Sequence, residues 1–339
     1  MRRSRRDFLR GLAAALAPAA LGGCGGKTEA PKADVELVLA AYSVPREAFE
    51  RRIIPAFREH FLQKTGKTVR VDASYLASGA QARALIGGFE ADVAVLSLET
   101  DVQKLADAKL VAPGWRARTK TGTVASTLVS FAVRTGNPKH IVGWPDLARP
   151  GVEVLMPNPK TSGGAMWNVN ALLGAALRGH AGVPAGDLGA ARGFLAAVLR
   201  NVLILDKGGR ESMITFEKGV GDVAITYASE IVTGRLAGRR YDEVVPPSTL
   251  RIDSPGAVLD ACVDRRGTRA AAEAFIDFLI GEEAQRGFVA YGFRALEAPA
   301  PDGVDLFTID YLGGWPKVSK EVYGVGGIFP KAWEQVNGR

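Results

Sequence analysis

Two cysteines and three histidines among 339 residues leave little material for a disulfide scaffold or a metal centre. The histidines stand at positions 60, 140 and 180, without the short spacings that metal ligands take. No Gly-x-Ser-x-Gly elbow occurs, and Cys262 has no neighbouring base, so nucleophilic catalysis finds no support. Long apolar runs are scarce too. The stretch from Gly11 to Gly23 is shorter than the ~20 residues a spanning helix needs. Gly26-Lys27-Thr28 imitates the end of a phosphate-binding P-loop, but Leu21 stands where its first glycine is required. Gly219-Val220-Gly221-Asp222-Val223-Ala224 matches a dinucleotide fingerprint on paper. It precedes its strand instead of following one, which makes it a turn.

The N-terminal residues read as an address. Ser4-Arg5-Arg6-Asp7-Phe8-Leu9-Arg10 has the twin-arginine pattern of the Tat export machinery. Leu21-Gly22-Gly23-Cys24 resembles a bacterial lipobox, in which Cys24 is acylated and becomes the mature N-terminus. Residues 1–23 are therefore expected to be a lipoprotein signal and 24–34 a lipidated polar tether, which places the protein on the outer face of a membrane. Loss of the signal removes five arginines and one aspartate, so the net charge falls from +7 to +3. No basic face then calls for nucleic acid. With Cys24 acylated, Cys262 has no intramolecular partner. It sits in the apolar run Ala257–Val263, expected to be a strand, as a buried small hydrophobe.

Apolar content of 47% with 23% charge is that of a globular chain long enough for two domains. From Val35 onward strand and helix patterns alternate. The apolar run Val35–Tyr42 predicts a strand buried on both faces. Phe49, Ile53, Phe57 and Phe61 recur every four residues, which predicts a helix over 46–64 stopped by Gly66. Further strands are expected over 69–75, 92–96, 128–134, 152–156, 202–205 and 222–227. Helices are expected over 79–88, 163–177, 188–199, 211–218 and 268–280. Repeated units of this kind predict an α/β fold with open sheets, whose ligands sit at strand C-terminal ends and helix N-termini.

Three stretches share one design at such positions. Asn158-Pro159-Lys160-Thr161-Ser162-Gly163-Gly164 leads into a helix, with a hydroxyl at the cap and glycines in the first turn. Ala77-Ser78-Gly79 follows a strand and opens an alanine-rich helix. Lys207-Gly208-Gly209-Arg210 does the same before Met213 and Phe216. A first helical turn leaves N–H groups without partners at an electropositive end, and glycine lets an anion approach the main chain. Alone, any one of them reads as an ordinary capped helix. Together, in an α/β fold, all three can face one crevice and form an oxyanion site.

The sequence also resembles the bacterial periplasmic sulfate-binding proteins, the solute receptors of sulfate/thiosulfate ABC importers. The likeness runs from Asn158–Asn168 through Ala77–Ala82, Glu90–Val93, Gly136–Lys139, Pro150–Val154, Gly219–Val223, Leu306–Asp310 and Gly313–Trp315. It implies a two-lobed type II periplasmic-binding-protein fold, each lobe an open mixed sheet flanked by helices. On this chain the lobes are placed at 35–130 plus 248–339 and at 131–247, with crossings at 126–134 and 241–247. The resemblance implies that sulfate or thiosulfate is held without a countercharge. Main-chain N–H groups come from Ser78, Gly163, Gly164 and Gly209, and a hydroxyl from Ser162. Where the family ends a strand in Ala-Trp-Glu-Asn-Glu, this chain reads Thr226-Tyr227-Ala228-Ser229-Glu230, so Tyr227 takes the place of the indole donor. Ala80 replaces a lysine, and Ser43-Val44-Pro45-Arg46 replaces Asp-Pro-Thr-Arg. The implied partners are ABC permease subunits and a membrane, reached through the lipid. A monomer without cofactor, metal or enzymatic step is expected. The alternatives are a receptor for phosphate, molybdate or tungstate, and a sensor or structural lipoprotein of the same fold.

Overall fold

The computed structural model describes residues 33–119 and 121–338. The expected signal and Cys24 lie outside the described residues. The first segment runs β1 (Val35–Tyr42), α1 (Arg46–Ala48), a π-helical turn (Phe49–Ile53) and α2 (Ile54–Thr65). It continues with β2 (Val69–Leu76), α3 (Ser78–Ile86), β3 (Val93–Val95) and α4 (Glu99–Asp107). Next come β4 (Thr123–Val133), β5 (Val154–Pro157), α5 (Gly163–Leu177), α6 (Leu188–Arg200) and β6 (Val202–Asp206). Then follow α7 (Gly209–Glu217), β7 (Val223–Tyr227), α8 (Ala228–Leu236) and β8 (Asp242–Val244). The chain closes with β9 (Ser248–Val258), α9 (Asp260–Arg266), α10 (Arg269–Leu279), α11 (Glu282–Val289), β10 (Asp305–Phe307), α12 (Gly314–Glu321) and α13 (Ile328–Asn337).

The periodicity of the first helix is realised as one continuous rod from Arg46 to Thr65, ended by Gly66 in the left-handed conformation. Its apolar side, Phe49 and Phe57, meets Phe275 and Phe288 at ring separations of 4.7–6.4 Å. The apolar run at Cys262 departs from expectation. β9 ends at Val258, and Cys262 is buried on α9, because Leu259 accepts the first helical hydrogen bonds from Cys262 and Val263.

Strand order is β2-β1-β3-β9-β4-β7-β5-β6, with β8 beside β4 and β10 beside β9. In one half, β2, β1 and β3 are parallel and β9 runs against them. In the other, β6, β5 and β7 are parallel and β4 runs against β7. The two halves make a two-lobed α/β molecule of mixed sheets, joined where β4 and β9 pair along Thr123–Leu128. β4 thus belongs to both. Its first residues bond β9, and Val129–Val133 bond β7 and β8. The tail then returns across the join. α13 packs on α6, the Trp315 ring meets Trp167 edge-on at 4.7 Å, and Phe307 lies against α5 at Gly174, where a Cβ would collide with its ring.

Candidate functional site

Each of the three glycine-bearing stretches opens a helix of nine residues or more: α3, α5 and α7. The loops before α3, α5 and α7 lie against one another. Thr161 Oγ1 donates to Lys207 O at 3.0 Å, which ties the second loop to the third. A Cβ on Gly79 would sit 3.7 Å from Thr161 O, and one on Gly208 would sit 3.6 Å from Ala77 Cβ. The convergence expected of an α/β crevice is therefore present, although the three loops are far apart in sequence.

Local geometry distinguishes their roles. Ser162 is the N-cap of α5, buried, and its side chain makes no capping hydrogen bond. That leaves the hydroxyl for another acceptor. Ser78 differs from the cap expected of it. Ala77 is the N-cap, and Ser78 is the first helical residue. Its hydroxyl donates to Asp101 Oδ2 at 2.6 Å and accepts from Ser97 N at 3.0 Å, so only its main-chain N–H remains for a ligand. Gly208 caps α7 and Gly209 follows it in the first turn.

A small cavity of about 10 Å³ lies among these loops, lined by Val44, Gly164, Asn168, Gly209, Tyr227 and Glu230. That is about the space of a single water, so a tetrahedral anion enters only if the walls separate slightly. A Cβ on Gly164 would stand 3.3 Å from Ser162 Oγ and 3.5 Å from Tyr227 Oη, which places both hydroxyls beside the same glycine. Gly163 is closely packed on its Cβ side, where a Cβ would meet Leu98 Cγ at 2.8 Å. Its glycine character is imposed by packing of the two halves as much as by any anion.

Sequence reasoning missed two residues here. Ser97, just after β3, shares a 2.8 Å hydrogen bond with Tyr227 Oη, and Trp167 Nε1 donates both to Ser97 O at 2.9 Å and to Ser97 Oγ at 3.2 Å. A hydroxyl beyond a strand C-terminus was the available signal. Glu230, in the first turn of α8, is 2% exposed, and neither carboxylate oxygen has a hydrogen-bond partner among the described residues. Arg210 Nη2 comes within 3.3 Å of Glu230 Oε1, outside hydrogen-bond geometry. Burial, and then Glu47, Glu217 and Glu211, push the Glu230 carboxyl up to about 7 against the pull of Arg210. Burial also holds the Tyr227 hydroxyl protonated well above the ordinary tyrosine range. A Tyr227 hydroxyl in this state is a donor at every physiological pH.

Among the described residues no cluster of His, Cys, Asp or Glu forms a metal site, and no helix is long and apolar enough to cross a membrane. His60 packs on Phe278 and His180 lies 3.4 Å from Asp305, far from one another in role. The glycines at 219 and 221 are a left-handed turn before β7, as expected.

Two lobes with convergent helix N-termini define an extracellular solute-binding protein, and residues 37–294 match the family described as "Bacterial extracellular solute-binding protein". A sulfate-binding protein of Synechococcus elongatus is 40% identical over 99% of both chains. A thiosulfate-binding protein of Escherichia coli is 34% identical over 87% of this chain and 90% of its own. The solved structure of the sulfate-binding protein SubI from Mycobacterium tuberculosis is 34% identical. It superposes with a TM-score of 0.75, over 84% of this chain and 98% of that one. The chain belongs to the bacterial periplasmic sulfate- and thiosulfate-binding proteins.

Proposed function

We propose that this protein captures sulfate or thiosulfate between its lobes and delivers it to the permease of an ABC importer. The observation that carries the reading is the meeting of the loops before three helix N-termini, two of which, at Gly164 and Gly209, line one cavity, with the hydroxyls of Ser162 and Tyr227 beside Gly164. Main-chain N–H groups of Ser78, Gly163, Gly164 and Gly209 supply the remaining donors. Hydrogen bonds to a charged group contribute roughly 1.5–3 kcal/mol each, and micromolar binding needs about 8 kcal/mol. Five or six such bonds, less the costs of association and lobe closure, reach that value. The sulfate- and thiosulfate-binding relatives support this ligand class.

The first lobe takes 35–130 and the chain from 248. The second takes 131–247, with the tail after β10 resting on its α6. Export by the twin-arginine route and acylation of Cys24 would hold the receptor at the outer membrane face. A second reading, a receptor for a protonated oxyanion such as phosphate, is favoured by one feature: the unpartnered Glu230 carboxyl in the cavity wall is an acceptor. A thermal-shift screen of the delipidated domain against sulfate, thiosulfate, phosphate, molybdate and tungstate tests both. Stabilisation by sulfate or thiosulfate alone supports the first. Stabilisation by phosphate without sulfate would replace it by the second.

A further inference from the structure

Tyr227 carries one proton and acceptor lone pairs, unlike an indole, so something must decide which of them faces the cavity. The decision falls to its neighbour. Ser97 is 1% exposed, and the partners of its hydroxyl among the described residues are Trp167 Nε1 and Tyr227 Oη. The indole N–H is a donor only, so Ser97 Oγ accepts from it. If Tyr227 also donated to Ser97, the serine's own proton would have no acceptor, and tyrosine lone pairs would face an anion. In the opposite arrangement, Trp167 donates to Ser97, Ser97 to Tyr227, and Tyr227 to the ligand. Every proton then has an acceptor, and the last donor points into the cavity, where Tyr227 Oη lies 3.5 Å from the place of a Gly164 Cβ.

We propose that Ser97 is a specificity-determining positioning residue: held by the Trp167 indole, it donates to Tyr227 Oη and leaves the tyrosine proton for a fully ionised oxyanion. This rests on the reading of the cavity as a sulfate-type site. The device favours a dianion with no proton of its own. Phosphate, which carries a proton near neutral pH, meets a donor where it needs an acceptor. An alanine at 97 frees the tyrosine hydroxyl to turn, and the preference for sulfate shrinks.

Calorimetric titrations of sulfate and phosphate into Ser97→Ala, Tyr227→Phe, the double variant, and Ser97→Ala combined with Tyr227→Trp test this, with melting temperatures checking the folds. Ser97→Ala should weaken sulfate about tenfold and phosphate less, the loss expected for one donor to a charged ligand. In the Tyr227→Phe background the same change should cost about twofold or less, since no hydroxyl remains to be oriented. Tryptophan at 227 has no lone pair to misdirect, and the alanine vacates space beside it, so that double variant should recover sulfate binding to within about threefold of wild type. Unchanged sulfate affinity in Ser97→Ala, or an equal loss with and without the Tyr227 hydroxyl, overturns the proposal while leaving the sulfate site standing. A wild-type protein that binds neither anion overturns the functional reading and this inference together.

Discussion

Arg210 Nη2 donates to Glu47 Oε2 at 2.6 Å, and this bond ties the start of α7 in one lobe to α1 in the other. The same guanidinium is the cation nearest Glu230, at 3.3 Å, so one positive charge serves both Glu47 and Glu230, while Glu217 pairs with Arg239. Glu230 is left deeply buried with no hydrogen bond of its own. The cavity therefore combines the starts of α5 and α7 with one under-compensated acid.

That acid makes stability depend on pH. Glu230's folded value of about 7 lies above its ordinary 4.5, because burial and then neighbouring carboxylates disfavour its charge. The sign follows: the stabilisation is complete below pH ~4.5 and is lost as pH rises through ~7. Glu230→Gln should be the more stable form at pH 8, by up to about 3 kcal/mol relative to its difference at pH 4.5. Urea unfolding of both proteins across that window measures it. Parallel stability curves would show that Glu230 titrates in the fold as it does in the unfolded chain.

The glycine beside the two hydroxyls offers a sharp test of the site. Gly164→Ala puts a methyl 3.3 Å from Ser162 Oγ and 3.5 Å from Tyr227 Oη, tight but without a severe clash. The variant should fold and lose at least about tenfold in sulfate affinity by calorimetry, because a methyl stands where the anion approaches the main chain. Ser162→Ala should weaken binding by roughly 1.5–3 kcal/mol. Gly163→Val is the poorer probe, as it would collide with Leu98 and unsettle the fold. Wild-type affinity in the first two variants would remove these loops from the site.

Selectivity between sulfate and phosphate should itself vary with pH. Below pH ~7 Glu230 is neutral and a weaker acceptor that also presents a proton, so poor pairing of phosphate's proton in a closed cleft costs roughly 1–3 kcal/mol and sulfate should lead by about tenfold. Above that pH the ionised carboxylate accepts the phosphate proton and repels sulfate, and the gap should narrow. In Glu230→Gln only the part of the change due to phosphate's own second ionisation near neutral pH should remain. A narrowing of equal size in wild type and Glu230→Gln would remove Glu230 from the effect.

Membrane attachment depends on a residue outside the described fold. Cys24→Ser should be exported yet fractionate as a soluble protein. The few lysines of the tether contribute only about 1 kcal/mol each near an anionic surface, too little for attachment by charge. Membrane-bound Cys24→Ser protein would refute acylation at this position.

Much of the site was legible because helix starts are local. Ser162, Gly164 and Gly209 announce themselves by a hydroxyl or glycine next to an apolar-periodic run, and no distant residue is needed to read them. Ser97 and Glu230 were not legible in this way. The serine meets Tyr227 across 130 positions of sequence, and a serine after any strand looks the same until its partner is placed. Glu230 carries the ordinary acid of a helix first turn, and only its burial in the tertiary fold changes its chemistry. At Gly163 the structure shows a packing reason for glycine that the sequence did not, since a Cβ there would meet Leu98 Cγ at 2.8 Å.

The sequence by itself determined the alternation of strands and helices, the three anion-type loops and the family, since each depends on patterns a few residues long or on residues in a set order. Only the tertiary structure decided how those loops come to lie against one another and which hydroxyls are free. It spends the Ser78 hydroxyl on Asp101, leaves that of Ser162 uncapped, and sets Ser97 beneath Tyr227. The physical reason is that a buried polar atom's role is fixed by the partner it finds, and those partners arrive through long-range pairing of β4 with β9, which brings the two lobes together.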